Sequence, residues 1–312
     1  MKAVVAAAAR QDFHETFPFL ASVRRHLPEA ELVVLLSPVD RQNGLAEQIQ
    51  THFPSAVLDW IPRTSRRWRP WVISLALAWG LARKDWETLP RGWQRWILGC
   101  LSVTAARFFI ARHWTAAKQG IWSRVLLADS RDVLIQGDPW ERGQDRLVTG
   151  LEEKTYDGCP MNQSWIRGLY GPGVVQKLLD FPVLCSGVSL GTHHQVHDYL
   201  GQLTREMWRH LPTLARGHFA RKPPDDSQSW VFDQASHNVL LRLRQPLRFE
   251  GTRPREGWIA TLHHLPPAEV RWVNEIPAIE VAGKIPPVVH QYDRLPEIRK
   301  AVQREYRANK AN

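Results

Sequence analysis

Asp129 and Asp132 follow at once on a four-residue apolar run, Val125–Ala128, with no cysteine or histidine beside them. Carboxylates alone are hard oxygen donors, and a pair so placed suits Mg2+ or Mn2+ shared with a diphosphate. The position favours that chemistry, because in open α/β sheets ligands gather beyond the carboxyl ends of the strands. The same spacing permits a plainer role, in which Asp129 caps a turn and Asp132 pairs with an arginine such as Arg131.

Three other groupings carry chemistry. Gly187-Val188-Ser189-Leu190-Gly191 fits the G-x-S-x-G nucleophile elbow, and Asp233 and His290 follow in hydrolase order. A serine hydrolase is therefore an alternative reading, although no glycine-rich oxyanion loop follows an early strand and the pair at 129 and 132 would have no task in it. His193 and His197 share a helical face as a candidate zinc pair, but no third ligand accompanies them and a solvated face is the expectation. The three cysteines, at 100, 159 and 185, are odd in number and form no C-x-x-C pair, so neither a disulfide framework nor a zinc ribbon is encoded. That usage points to a reducing compartment, and the expected location is cytoplasmic.

The elements that must position these residues read as an α/β chain. Lys2–Ala9 is a small and β-branched run, residues 17–27 are helix-like, and residues 31–37 form a second apolar strand, which is the opening of a doubly wound parallel sheet. Leu45–His52 reads as a helix, Ala56–Ile61 as a strand and Val103–Lys118 as a helix. Val125–Ala128, residues 147–153 and residues 183–192 read as strands, with a Gly/Pro/Asn-rich loop after residue 153, helices near Gly173–Asp180 and His194–Trp208 and a late strand within 286–293. The run 230–243 should bury Trp230, Val231 and Phe232, and the last fourteen residues read as a solvated helix or tail. At 312 residues and 44% hydrophobic content the chain fills one large domain, and neither wholesale disorder nor a stapled mini-scaffold fits.

One segment departs from this pattern. Residues 60–115 hold ten Arg or Lys against Asp85 and Glu87, and eight of the fifteen tryptophans. The chain's +10 charge is therefore largely local, the usual sign of an anionic partner surface. No helix-turn-helix, RNA-recognition or zinc-finger signature accompanies it, so nucleic acid is not the expected partner. The alternatives are an anionic membrane surface met through residues 61–100, with Trp68, Trp71 and Trp79 as anchors, an acceptor cleft, or a helical subdomain packing its tryptophans on the core. The longest mostly apolar run, residues 71–82, is short of the ~20 residues that a membrane span requires. The start, Met1–Arg10, is too short in apolar residues for a signal peptide and reads as a buried strand.

The order of these pieces resembles the GT-A-fold glycosyltransferases, specifically the group whose metal motif reads as an apolar strand followed by Asp-x-Arg-Asp-Val. Here that is Leu126-Leu127-Ala128-Asp129-Ser130-Arg131-Asp132-Val133, with Gln136 and Asp138-Pro139 beyond. The opening strand and helix resemble a nucleotide-binding start, and Glu152-Glu153 is followed by Asn162 and Trp165-Ile166. Cys185-Ser186-Gly187-Val188 with Gly191 resembles an Asn-x-Gly-x-x-x-Gly segment, with Cys185 and Ser186 as departures. Asp233-Gln234 with Asn238 resembles an Asp-Gln-x-x-x-Asn helix, and His290 ends a late strand.

The resemblance implies a Rossmann-type, mostly parallel sheet flanked by helices, in a single domain over residues 1–312; the Trp/Arg-rich insertion, expected to be helical, departs from the shared core. Residues 1–140 would form the nucleotide-sugar-binding half, including the insertion at 61–100, and residues 141–312 the acceptor-binding half and tail. It implies metal-dependent transfer of a sugar from a nucleotide sugar, a UDP-sugar by expectation, to a hydroxyl of a glycan or lipid-linked acceptor; a peripheral position at the inner face of the membrane is what the basic segment, if it meets an anionic membrane surface, would add. Asp129, Asp132 and His290 would hold Mn2+ or Mg2+. Ala7, Ala8, Arg10, Asp129, Arg131, Ser186, Gly187 and Gln234 would contact the donor. Asp233 would bind sugar hydroxyls or act as general base, against a plainer role as a helix N-cap.

Overall fold

The computed structural model describes residues 1–8, 11–62, 86–210, 232–244 and 247–308. Arg10, Trp230, Val231 and the Arg/Trp residues between 63 and 85, Arg66, Arg67, Arg69, Trp68, Trp71 and Trp79 among them, lie outside the described residues.

Strand β1 (Lys2–Ala7) leads through α1 (Phe13–His26) to β2 (Glu31–Leu36), then α2 (Pro38–Gln42), α3 (Leu45–His52) and β3 (Val57–Trp60). Helices α4 (Arg91–Leu98) and α5 (Val103–Ala117) precede β4 (Arg124–Asp129), β5 (Val133–Ile135) and β6 (Leu147–Thr155). Next come α6 (Pro160–Tyr170), α7 (Pro172–Gln176), β7 (Pro182–Thr192), α8 (His193–Arg209) and α9 (Phe232–Val239). The chain closes with β8 (Phe249–Thr252), β9 (Ile259–Thr261), the hairpin β10 (Val270–Val273) and β11 (Ala278–Val281), β12 (Val288–His290) and α10 (Pro296–Ala308).

The central sheet has seven strands in the order β3-β2-β1-β4-β7-β6-β8. All neighbours run parallel except at β7, which is antiparallel to both β4 and β6. Side chains alternate across a strand, so one strand feeds two cores. Ala3, Val5 and Ala7 of β1 join Val125 and Leu127 of β4 on the face covered by α5, α8 and α9, whereas Val4, Ala6, Leu126 and Ala128 face α1 and α3. Burial on both faces is why these strands read as unbroken apolar runs. The mostly parallel α/β sheet flanked by helices is the fold class that the sequence implies.

Several local expectations shift. Helix α1 starts at Phe13, before the expected residue 17, because Asp12 accepts from the Glu15 N–H at 2.7 Å and caps it. Pro160–Tyr170, within the expected loop, is a helix with Pro160 in its first turn. Of the two forms expected for the last fourteen residues, the helix is the one present as far as Ala308, although it is not solvated all round. Ile298, Val302 and Tyr306, spaced at four, bury one stripe of α10.

The described tryptophans of the basic segment divide. Trp86 is buried and packs edge-on against Phe109 and Trp208, and Trp114 donates to Asp59 at 2.8 Å and stacks on Trp122, whereas Trp96 is exposed. Arg107 and Arg112 are likewise buried. Part of the segment is therefore core. No helix among the described residues is long and apolar enough to cross a membrane.

Candidate active site

The cleft arises where β4 stops. Its last pairing with β7 is Ala128 with Val188, so residues 184–187 of β7 run on with no strand on that side. Helix α9 supplies the missing partners from its side chains. Gln234 accepts from the Ser186 N–H at 2.9 Å and donates to Leu184 O at 2.8 Å, while Asn238 accepts from the Leu184 N–H and donates to Leu184 O, both at 2.8 Å. Opposite, three extra residues of β7 bulge away from β6 between Thr149 and Gly150, and the Thr149 hydroxyl bonds the Cys185 and Val188 carbonyls. Buried backbone groups are thus satisfied without a neighbouring strand, which leaves space at the sheet's centre.

Asp129, Asp132 and His290 meet there. Asp129 continues the alternation of Val125 and Leu127 and so faces α5, while Asp132 follows the turn at Ser130, whose hydroxyl is tied to Ala7 O at 2.8 Å. β12 pairs antiparallel with β5, setting His290 beside Val133. One ligand atom from each of the three residues lies within 4.8 Å of the others, with Asp132 and His290 buried. His290 Nε2 is 3.5 Å from Asp132 Oδ1, and its Nδ1 is 3.5 Å from Cys185 Sγ. Burial works against charge on both partners, yet the pairing outweighs it. The His290 charge holds Asp132 below the usual carboxylate range, while the Cys185 sulfur and the Asp132 carboxylate raise His290.

Arg107 of α5, in the sequence one cation among many in a basic stretch, is a central residue of this site. Its guanidinium pairs closely with Asp129, reaches Asp233 Oδ2 at 3.3 Å and the Ser186 carbonyl at 3.5 Å. Ser186 Oγ donates to the same Asp233 oxygen at 3.2 Å. Asp233 sits in the first turn of α9, and its Oδ1 is buried without a hydrogen-bond partner. Ala7, Leu35, Arg107, Phe108, Ser186 and Gly187 line the adjoining hollow. On the far side Glu152 of β6 is also buried. Burial raises its carboxyl to about 7, with the charges of His290 and Lys154 pulling it back.

Other expected residues are placed elsewhere. Arg131 is half exposed and turns to Glu15 and Asp293, at 3.8 and 3.9 Å. Ala8 is buried at the end of β1, its N–H donating to Leu35 O. His193 and His197 each bond Thr115, through its carbonyl at 2.7 Å and its hydroxyl at 2.9 Å, and among the described residues no third ligand joins them. The elbow reading is overturned. Ser189 is buried in the middle of β7, paired with Leu127 and Thr149, where a hydrolase needs a sharp strand-to-helix turn, and His290 contacts Asp132 and Cys185 instead.

No protein-family model and no curated protein matches the chain. Among solved structures it is similar to an active-site mutant of LgtC, at 13% identity and a TM-score of 0.43 over 96% of this chain and 95% of that one, a likeness too low to give any residue a role.

Proposed function

We propose that the protein is a metal-dependent glycosyltransferase that moves a sugar from a nucleotide sugar, in the first place a UDP-sugar, to a hydroxyl of a glycan or lipid-linked acceptor. The observation that carries this reading is the convergence of Asp129, Asp132 and His290 at the carboxyl end of β4, beside Gly187. Two carboxylates and an imidazole form a donor set that fits Mn2+, and a side chain at Gly187 would collide with the imidazole. A divalent ion bound there supplies positive charge that stabilises a leaving diphosphate.

The chain's own residues do the rest. Asp132 and Asp129 present their carboxylates, and His290 gives up its proton to ligate. Ala7 and Gly187 line the hollow in which a ligand would lie, and the missing side chain of Gly187 leaves room for the His290 ring. Arg107 holds Asp129 and Asp233 in fixed relation, and Asp233 Oδ1, with no partner of its own, accepts a sugar hydroxyl. That task suits its buried position better than an N-cap does. Docking of the basic segment on an anionic membrane surface belongs to the same proposal and rests on residues 61–100, most of which lie outside the described residues.

The test is thermal unfolding of the full chain with UDP, with Mn2+, and with both. Binding to the native state alone raises stability by RT ln(1 + [L]/Kd), so the pair together should raise Tm by more than either alone. No shift with any nucleoside diphosphate and metal would sink the reading.

A further inference from the structure

A second cluster lies outside the one just described. The Glu152 side chain is 4% exposed and its Oε2 has no hydrogen-bond partner. His263 Nδ1 and His264 Nε2 each stand 3.9 Å from that oxygen, too far for a hydrogen bond. A buried carboxylate oxygen left without a partner calls for a physical account, and an ion between the three groups gives one.

The surrounding chain holds the imidazoles in place. β9 pairs parallel with β12, and the Leu262 N–H donates to His290 O at 2.9 Å, so the residues after β9 are pinned to the sheet. His264 adopts φ 71°, in the left-handed region that residues with a side chain seldom enter, and its ring stacks on that of His263 at a centroid distance of 3.6 Å. Both rings remain a quarter to a third exposed, which leaves a route from solvent.

We propose that Glu152, His263 and His264 form a second divalent-cation site, of the two-imidazole, one-carboxylate kind that takes Zn2+ or Co2+, separate from Asp129, Asp132 and His290. Metal–ligand bonds of ~2.0–2.2 Å require the three ligand atoms to close by a few tenths of an ångström and the stacked rings to fan apart. A solvent molecule or substrate oxygen would take the fourth position. The donor sets differ in hardness, so the carboxylate-rich cluster should prefer Mn2+ or Mg2+ and this one Zn2+ or Co2+.

The experiment uses the metal-stripped full chain without nucleotide. Co2+ is titrated while its visible d–d absorption is recorded, and bound Zn2+ is counted after equilibrium dialysis. The expected result is a four-coordinate Co2+ spectrum that survives Asp132→Asn and disappears, with at least tenfold weaker binding, in Glu152→Gln. His263→Gln and His264→Gln, at partly exposed positions, carry the same test should Glu152→Gln fail to fold. Unchanged spectrum and affinity in these variants, or loss of all metal in Asp132→Asn alone, would overturn the second site. Its survival in Asp132→Asn would leave the proposed transferase reading to be judged by nucleotide binding.

Discussion

The His290 ring occupies the space that a side chain at Gly187 would need: a Cβ there would fall inside contact distance of the ring and 3.0 Å from Asp129 Oδ2. Gly187 has no left-handed backbone to explain it, so the requirement is for an empty position. Gly187→Ala should therefore displace His290 and weaken binding of UDP with Mn2+ at least tenfold by calorimetry, with far-UV circular dichroism unchanged. An alanine variant that binds like the parent would show that the ring moves freely aside.

Asp132→Asn keeps the shape of the side chain and removes its charge. Metal-dependent stabilisation by UDP should be lost, while the unliganded protein stays folded. Differential scanning calorimetry with and without Mn2+ reads both quantities in one series.

Arg107 neutralises a carboxylate that is almost wholly buried. Arg107→Met leaves Asp233 charged and unpaired, an arrangement that costs roughly 3–5 kcal/mol. Adding Asp233→Asn should restore much of that loss in urea denaturation, because the amide needs no counter-ion. Additive effects of the two substitutions would contradict the pairing.

His237 is fully buried in α9, its Nδ1 2.7 Å from the Tyr199 hydroxyl, and burial, with Arg242 and Arg107 nearby, lowers it to about 3. Its folded value lies below the unfolded one of ~6.5, so the neutral ring's contribution is fully present above pH ~6.5 and is lost as pH falls toward 3. Between pH 6.5 and 5 that loss is about 2 kcal/mol. His237→Asn should flatten this part of the stability profile, whatever its effect at pH 8.

The sheet was legible in the sequence because β1, β2, β4 and β7 bury both faces and so print apolar runs that no surface segment matches. Helix α6 was not, since Asn, Ser and Gly in Pro160–Tyr170 read as loop and only Asn162 and Ile166 are buried there. The strands of three or four residues between 249 and 281 are too short to show a period. Asp129 and Asp132 stand out in the sequence because they follow directly on an apolar strand, whereas His290 joins them only through the resemblance of its late strand. Arg107 was hidden by charge arithmetic, which cannot tell a buried cation from a solvated one. Glu152 and His263 are brought together only by the pairing of β12 with β9 and the packing of β6 on it, which periodicity does not reveal.

β1 is hydrogen-bonded on one side to β2, close behind it in the chain, and on the other to β4, whose last residue follows Ala7 by more than a hundred residues. On a ribosome adding ~5–20 residues per second, that second partner arrives about 6 to 24 s later. Throughout this interval the small apolar strand Ala3–Ala7 presents one open edge, the kind that captures other chains. The nascent protein should therefore be most prone to aggregate after β3 has been made and before Arg124–Asp129 emerges, and slower synthesis across residues 61–123 would lengthen that exposure.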